Sequence, residues 1–245
     1  MPPYAKFITS SLMSLALGIL IIALPVRLLI SQAFLEIAYS LPWVQADVYG
    51  FSTQQRVELA SDAIHFLLHR YEDVWLSQKS IDADAMPSQS CMPVANVQEQ
   101  CHLYNEREVS HMTDVQQVIQ HLFALVLPSC SIILLGCFVV AWRDEWNILP
   151  TSLRFTNLLI LALILACVFS ATVAWDSFFT AFHSLFFEGD SWLFYYWDTL
   201  IRLFPEPFWY TATITLSLLI ILELVAIQLF AHVLWRFLKA KEYHL

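Results

Sequence analysis

Four stretches of the chain stay apolar for long enough to cross a membrane as helices. About 20 residues of helix span the roughly 30 Å of hydrocarbon in a bilayer. The first stretch exceeds a typical secretory signal core, and no small-x-small cleavage site follows it, which favours an uncleaved helix over a signal peptide. The pattern predicts a mainly α membrane protein built on a four-transmembrane-helix bundle. The four stretches run from about Phe7 to Leu35, Val118 to Trp142, Phe155 to Trp175 and Phe208 to Trp235.

The polar region 36–114 separates the first two apolar stretches and is here called the cap region. Apolar side chains recur within it every three or four residues, which predicts an amphipathic helix. Ser52 and Gln55 have the spacing of a capping box at the start of that helix. The segment 77–100 is polar and marked by proline, and we expect it to be irregular. The positions that predict the helix are Val57, Ala60, Ile64, Leu67, Leu68, Tyr71 and Val74.

The segment 176–207, between the third and fourth apolar stretches, is rich in aromatic residues. Aromatic side chains favour the headgroup level of a membrane. The pattern predicts a helix lying in the outer interface, then a turn at Gly189 and Asp190, then a descent into the last transmembrane helix. The alternative is an aromatic belt that only anchors the bundle. The aromatic helix carries Phe178, Phe179, Phe182 and Phe186, followed by Trp192, Phe194, Tyr195, Tyr196 and Trp197.

The distribution of charge predicts the orientation of the chain. With both termini inside, the inner segments hold six cations, Lys6, Arg143, Arg154, Arg236, Lys239 and Lys241. The cap region has four cations against at least eleven acidic residues, so the positive-inside rule places it outside. The expected divisions are a first transmembrane helix with a cytoplasmic N-terminus (1–35), the extracytoplasmic cap (36–114), a second transmembrane helix (115–142), a cytoplasmic loop (143–154), a third transmembrane helix (155–175), the outer aromatic segment (176–207), and a fourth transmembrane helix with its cytoplasmic tail (208–245).

Composition narrows the function classes. The chain of 245 residues is 58% hydrophobic and only 13% charged, which is typical of an integral membrane protein. Four glycines make a glycine-rich phosphate-binding loop unexpected, and the net charge of −9 argues against nucleic acid as a partner. Cys91 and Cys101 lie in the cap region, where they form either a disulfide in an oxidising compartment or two free thiols.

Two histidines are the main candidates for chemistry. His111 and, 72 residues later, His183 are both returned to the outer mouth of the bundle by this topology. Histidine suits proton transfer near neutral pH. Asp114 lies three residues after His111, so on a helix the carboxylate could orient the imidazole, and Glu108 adds negative charge nearby. The alternatives are a cluster of solvated polar groups at a helix entrance and a hydrogen-bonded structural histidine at position 183.

Other candidates are weaker. Arg27 lies in the outer third of the first apolar stretch and could hydrogen-bond a substrate carbonyl or a residue such as Asp176, or simply snorkel to the interface. Glu223 lies near the middle of the last stretch. His65 and His69 have the spacing of a zinc pair but lack a third ligand at a set spacing, so we predict no metal. No two histidines within the spans match in depth as haem ligands, and no cofactor is predicted.

Three motifs resemble the bacterial lipoprotein intramolecular transacylase family, integral membrane proteins that make lyso-form lipoproteins. They are YGFS at 49–52, NEREVSHMTDV at 105–115, and FHSLFFEGDSW at 182–192 continuing to DTLIRLFPEPFW at 198–209. With the four spans, the resemblance covers nearly the whole chain. The second and third motifs are specific, whereas Cys91, Cys101 and the segment 77–100 are not part of the resemblance.

The resemblance implies a reaction, a substrate and a location. The substrate would be a lipoprotein whose N-terminal cysteine carries a diacylglyceryl thioether and a free α-amine, and the sn-2 acyl chain would move to that amine. The catalytic residues would be His111 and His183, with His183 as base to the amine and His111 as oxyanion donor or proton source, or the reverse. Membrane lipid would surround the protein in the bacterial cytoplasmic membrane, with the active site facing outward. Glu108, Asp114, Arg27, Asp176, Phe182 and Trp192 are the candidate positioning residues.

Three alternatives belong to other classes. A non-catalytic membrane adaptor would bind a partner through the cap region. An acyl-enzyme acyltransferase would use Ser110 or Ser184, each of which adjoins a histidine. A small transporter would depend on Arg27 and Glu223 within the bundle.

Overall fold

The computed structural model describes residues 1–95, 97 and 99–242. Two compact units divide the chain, one formed by Met1–Arg27, Leu122–Ala174 and the chain from Thr215 on, the other by Leu28–His121 and Trp175–Ile214. We call them the bundle unit and the cap unit. The helices and strands in chain order are α1 (Pro3–Leu29), α2 (Gln32–Ser40), α3 (Thr53–Leu68), α4 (Asp73–Ser77), β1 (Ser80–Asp82), β2 (Gln100–His102), α5 (Glu106–Ala124), α6 (Val126–Trp142), α7 (Ile148–Val173), α8 (Trp175–Phe186), α9 (Thr199–Leu203) and α10 (Glu206–Glu242).

Four stretches of helix are long and apolar enough to cross a membrane, which confirms the predicted fold class of a mainly α, multi-pass membrane protein. They are Pro3–Leu29, Glu106–Trp142, Ile148–Val173 and Glu206–Ala240. Within the bundle unit, Ile21, Ile160 and Ile220 form a buried aliphatic core with their neighbours. Small hydroxyl side chains add polar contacts between helices, for example Ser10 to Ser152 at 2.8 Å between their Oγ atoms. Hydroxyls of this kind pack helices closely where lipid surrounds them.

The bounds of the spans differ from the predicted ones at three places. The first helix ends at Leu29 rather than near Leu35, because Ser31 starts a new helix by accepting a hydrogen bond from the Phe34 backbone amide. The second span is interrupted at Leu125, between α5 and α6. Pro128 lies one turn into α6 and has no N–H to donate to the carbonyl of residue 124, which accounts for the break. The predicted loop 143–154 is also shorter, since α7 begins at Ile148.

Helix α3 begins as predicted and ends earlier. Ser52 and Gln55 form the capping box, with the Ser52 hydroxyl accepting from the Gln55 amide and the Gln55 side chain accepting from the Ser52 amide. The predicted continuation to Val74 is wrong, since the helix ends at Leu68 and Val74 belongs to α4. The Gln116 side chain explains the end, because its amide donates to the carbonyls of Phe66, His69 and Tyr71 and replaces the next turn of helix.

The segment 77–100 is more regular than expected in its described part, which leaves out residues 96 and 98. Strands β1 and β2 pair antiparallel, with Ile81 opposite Cys101. Cys91 and Cys101 form a disulfide, which decides between the two alternatives that the sequence left open. The disulfide ties the loop before β2 to the strand, so a polar, proline-marked segment is held against the core of the cap unit.

That core brings together residues far apart in sequence. Phe66 of α3, Leu103 just after β2 and Met112 of α5 pack with Leu200 and Leu203 of α9. A second cluster joins α2 to α3 and the start of α10 through residues such as Leu35 and Phe208. Helices α5 and α9 are therefore fixed to the same apolar core, and α8 and the chain that follows it complete the unit.

Candidate active site

His183 lies on α8 with only 8% of its surface exposed. Its Nδ1 is 2.8 Å from the carbonyl oxygen of Phe179, one turn earlier. A carbonyl oxygen can only accept, so Nδ1 carries the hydrogen and donates it, which leaves the lone pair on Nε2. Burial lowers the pKa of His183, partly offset by the hydrogen bond to Phe179. The side chain is thus a neutral imidazole whose free nitrogen suits it to accept a proton.

His111 lies in the second turn of α5 and is equally buried, with 8% of its surface exposed. Its ring centroid is 6.0 Å from that of His183, with the planes inclined by 28°. Phe187 and Phe194 present their rings to His111 at 4.8 Å and 5.4 Å. The Nδ1 atom of His111 is buried and has no hydrogen-bond partner among the described residues. Two imidazoles from distant parts of the chain therefore meet in one aromatic pocket, as expected of a proton-handling site.

Aromatic side chains wall the His183 ring. Phe179 stacks against it with centroids 4.0 Å apart, and Trp192 lies at 4.8 Å. The indole Nε1 of Trp192 is buried and finds no acceptor in the described part of the chain. Phe182 meets the His183 ring edge-on at 5.5 Å and is 49% exposed. The structure thus brings both aromatic candidates, Phe182 and Trp192, to the histidine pair.

Glu108 joins two helix starts, and no hydrogen bond links it to His111 among the described residues. One carboxylate oxygen accepts from the Asn105 amide at 2.8 Å, while the Asn105 side chain accepts from the Glu108 amide, so the pair caps α5. The other oxygen accepts from the Leu200 amide at 2.7 Å in the first turn of α9. Asn105 also donates to Asp198, which precedes α9. The network fixes the start of α5, and hence His111, against the 195–200 segment.

The remaining candidates lie apart from this network. Asp114 forms no hydrogen bond with Nδ1 of His111 among the described residues, and its role in orienting the imidazole stays a prediction. It lines a separate cavity. Asp176 is exposed in the first turn of α8. Arg27 lies in the last turn of α1, in the bundle unit.

The alternative nucleophiles and metal ligands are not assembled in the described residues. Neither Ser110 nor Ser184 hydrogen-bonds a histidine there, so neither has the adjacent base that an acyl-enzyme mechanism needs. His65 and His69 stack on each other at 4.0 Å. No group of three or more His, Cys, Asp or Glu side chains that could hold a metal occurs within the described ranges.

Comparison with known proteins identifies the family. The family model for the lipoprotein intramolecular transacylase Lit matches residues 11–209. The chain belongs to the lipoprotein intramolecular transacylase family. It is a membrane transacylase, and the family's reaction is transfer of the sn-2 acyl chain of a diacylglyceryl-modified cysteine to the α-amine of that cysteine.

The relatives cover almost the full length of this transacylase. An uncharacterized protein of Aquifex aeolicus is 28% identical over 221 residues, which are 90% of this chain and 91% of that protein. The in meso structure of the membrane integral lipoprotein intramolecular transacylase Lit from Bacillus cereus is similar in fold, with a TM-score of 0.70 over 99% of each chain and 16% identity. A variant of that protein with one histidine replaced by alanine gives a TM-score of 0.67, covering 99% of this chain and 97% of that one, also at 16% identity.

The family motifs of this transacylase meet in the cap unit. Arg202, from the motif at 198–209, is 3% exposed and forms a salt bridge of 2.9 Å with Asp47. Its guanidinium also lies 3.4 Å from the ring centre of Phe51, in the YGFS motif. A buried arginine needs such partners, because an unpaired charge in an apolar core is very unfavourable. The pair fixes α9 to the loop before α3, so these motifs build the frame that holds the site.

Several residues of the site were missed by sequence reasoning. Phe179 and Phe194 enter the sequence analysis only as aromatic residues and Phe187 only as part of a family motif, and nothing in the one-dimensional pattern marks the Phe179 carbonyl as a partner of His183. Asn105 and Glu108 could have been found, because an asparagine followed three residues later by glutamate is the signature of a capping box. The second bond of Glu108, to Leu200, joins residues 92 positions apart and leaves no local signal.

Proposed function

We propose that this chain carries out its transacylation with His183 as the general base and His111 as a hydrogen-bond donor to the developing oxyanion. The observation that supports this division is the hydrogen bond from Nδ1 of His183 to the Phe179 carbonyl, which leaves Nε2 to accept a proton. His111 lies 6.0 Å away, ring centre to ring centre. The two rings are close enough for both to contact one small group of a substrate.

In the proposed reaction the substrate supplies the nucleophile. The α-amine nitrogen attacks the carbonyl carbon of the sn-2 ester, and Nε2 of His183 takes the proton that the amine loses. The tetrahedral intermediate then collapses as the bond between the acyl carbon and the glycerol oxygen breaks. The proton held by His183 passes to that oxygen. The products are one amide and one free glycerol hydroxyl. His183 has given up the proton that it took from the amine, so the enzyme is unchanged.

The oxyanion of the intermediate needs donors that are in place beforehand. His111 has a buried Nδ1, and Trp192 a buried Nε1, without partners among the described residues. We propose that the N–H of Trp192 and an N–H of His111 point to this oxygen. An oxyanion donor of this kind contributes about 2.7–4 kcal/mol in well-studied cases. Buried donors that lack acceptors are costly unless a ligand supplies one.

Proximity of the amine and the ester supplies much of the remaining rate acceleration. Both reacting groups belong to one lipidated cysteine, so binding only has to hold the amine against the ester. Well-oriented intramolecular reactions gain about 7–11 kcal/mol over their bimolecular counterparts. The half-exposed Phe182 would contact the acyl chain at the edge of the pocket. Arg27 and Asp176 are retained as lower-ranked candidates for positioning the substrate.

We place the protein in the bacterial cytoplasmic membrane with the site facing outward. Its multi-pass character follows from the four spans, and the charge asymmetry between the inner segments and the cap region supports the orientation. The disulfide between Cys91 and Cys101 supports it further, because disulfides persist in oxidising compartments outside the cytoplasm. The substrate, a diacylglyceryl lipoprotein, would reach the site from the outer leaflet.

Substitution of the histidines tests the proposal. We expect His183→Ala and His111→Ala each to reduce lyso-lipoprotein formation at least about 100-fold, the lower end of the usual general-base contribution. Trp192→Phe, which removes the N–H together with one ring of the indole, should reduce it by a similar factor. The measurement is mass spectrometry of a lipoprotein from cells that depend on this enzyme, with the protein level checked by immunoblot.

Two control sets separate this function from the alternatives. Ser110→Ala with Ser184→Ala should keep lyso-lipoprotein formation, and loss in that double variant would favour an acyl-enzyme. His65→Ala, on the exposed side of α3, should behave as the wild type. Unchanged lyso-lipoprotein formation in both His111→Ala and His183→Ala would contradict the mechanism and favour an adaptor. Loss in Glu223→Gln with dispensable histidines would favour a transporter.

A further inference from the structure

A cavity lies on a second face of the helix that carries His111. Its volume is about 610 Å³, and it is an open cleft lined by α4, the region of β2 and the first turns of α5. Pockets of this size accept a drug-sized ligand or a short peptide. The cavity belongs to the cap unit, and none of the interactions described above for the histidine pair uses it.

The position of the cavity next to the reacting groups is fixed by α5. Glu106, Ser110 and Asp114 follow one another at four-residue spacing and line the cavity as a single stripe. His111 lies one residue after Ser110, and successive residues of an α-helix are about 100° apart. The cavity and the imidazole therefore lie on adjoining faces of the same two turns of α5.

The lining of the cavity combines apolar surface from Val74, Met92, Tyr104 and Val109 with acidic and other polar side chains. Asp73, Glu106 and Asp114 contribute three carboxylates, and Ser77, Ser110 and His102 contribute hydroxyls and a ring nitrogen. No lysine or arginine lines it within the described part of the chain. Basic residues of the cap unit pair elsewhere, Lys79 with Asp62 and Arg202 with Asp47. The three carboxylates form no ion pair among the described residues, so their charge is available to a ligand.

The chemistry of the substrate indicates what occupies the cavity. In the proposed reaction the amine and the ester of a lipidated cysteine react at His183 and His111, and the polypeptide continues from the carbonyl of that same cysteine. Each further residue extends the chain by at most about 3.3–3.6 Å. The first few residues after the cysteine must therefore lie within about 10 Å of the histidines, outside the aromatic pocket. The hydroxyls and carboxylates of the lining suit a peptide backbone and its side chains.

We propose that this cavity binds the first residues of the lipoprotein polypeptide after the lipidated cysteine and favours a basic residue there. The inference rests on the proposed function, since it takes the amine to be held at the histidines. It adds a part of the substrate, the peptide, to the recognition of the lipidated cysteine.

Synthetic lipopeptides test this preference directly. Three substrates carry the same S-diacylglyceryl cysteine and differ only in the next three residues, which are lysine-rich, serine-only or glutamate-rich. We expect kcat/KM for the lysine substrate to exceed that for the glutamate substrate by about tenfold, the effect of one or two partly exposed ion pairs. The measurement is chromatographic separation of the transacylated products, made with purified enzyme in detergent.

A matched pair of variants locates the preference. Asp73→Asn with Glu106→Gln removes two cavity carboxylates, and Asp114 is left unchanged because it lies within a turn of His111. We expect the lysine-to-glutamate ratio to fall to about two or less. Asp82→Asn with Asp84→Asn removes the same charge from exposed positions of the cap region outside the cavity, and the ratio should stay as in the wild type. The ratio is internal to each variant, so a general loss of activity cancels.

Filling the cavity gives a second measurement. Ser77→Trp, on α4, should lower kcat/KM for the lysine lipopeptide to that for S-diacylglyceryl cysteine amide, which has no peptide. A wild-type ratio near one, or an equal fall in both double variants, would overturn the peptide site while leaving the transacylation intact. Failure of the wild type to convert all the substrates, the cysteine amide included, would instead overturn the proposed function and the peptide site with it.

Discussion

At the scale of single residues, the site depends on which ring nitrogen of each imidazole is engaged in a hydrogen bond. His183 donates through Nδ1 to a carbonyl of its own helix, so its tautomer is set by local backbone geometry. His111 makes no such bond through Nδ1 and is held by aromatic contacts and by the fixed start of α5. The two histidines were both identified from the sequence, but their difference depends on the Phe179 carbonyl, which only the fold reveals.

Titration of His183 should reflect its burial. Because burial lowers its pKa, we expect the imidazole to remain neutral as the pH falls below about 6.5, where a free histidine becomes protonated. His183 therefore becomes protonated, and stops acting as a base, only at a lower pH. NMR of labelled histidines in detergent micelles measures the midpoint and identifies the Nδ1–H tautomer, with His183→Gln assigning the signal. A midpoint at or above 6.5, or an Nε2–H tautomer, would contradict the assignment of His183 as base.

At the scale of elements, the starts of two helices are joined through one carboxylate. Glu108 is 1% exposed and accepts from the Asn105 and Leu200 amides. Each of these amides is among the donors that a helix leaves without partners in its first turn. A single buried side chain thus stabilises α5 and α9 together and sets where His111 enters the pocket.

Glu108→Gln should test this link. Glutamine retains one acceptor oxygen and turns an NH₂ group toward the other amide, so one buried donor loses its partner. We expect a loss of about 1–3 kcal/mol in the free energy of unfolding and a lower rate of acyl transfer well below the melting temperature. Thermal unfolding in detergent measures the first effect. Glu106→Gln is the control, since Glu106 is exposed in the same turn and should cost less than about 1 kcal/mol; an equal loss in both variants would refute the link.

The sequence predicts a helix or strand well where neighbouring residues determine it. It predicts poorly where residues distant in sequence determine the element or its end. The four apolar stretches and the box formed by Ser52 and Gln55 depend on neighbouring residues, and both are found. The end of α3 at Leu68 depends on Gln116, which is far away in sequence and satisfies the terminal carbonyls. The pairing of β1 with β2 depends on closing a loop of polar residues, whose composition gave no strand pattern.

At the scale of the whole molecule, the chain places its apolar and its chemically active residues in different units. The bundle unit is formed by long apolar helices with an aliphatic core, and the cap unit contains both histidines, the disulfide and the motif residues. Hydropathy predicts the first unit directly. The cap unit is built from two segments of chain, one before and one after the middle spans. The family resemblance indicated its important residues, but hydrophobic periodicity could not predict that they lie together.

The proposed orientation predicts which surfaces a membrane-impermeant reagent reaches. Six cations in the inner segments favour the cytoplasm for both termini, so the cap region should face outward. Starting from a variant with Cys130, Cys137 and Cys167 replaced by alanine, we expect a cysteine at Ser88 to react with a charged maleimide in intact spheroplasts. A cysteine at Asn147, between α6 and α7, should react only after the membrane is permeabilised. Ser88 and Asn147 are both exposed, so the difference reports sidedness rather than burial. The reverse pattern would place the histidines on the cytoplasmic side, where a lipoprotein already exported to the outer leaflet could not reach them.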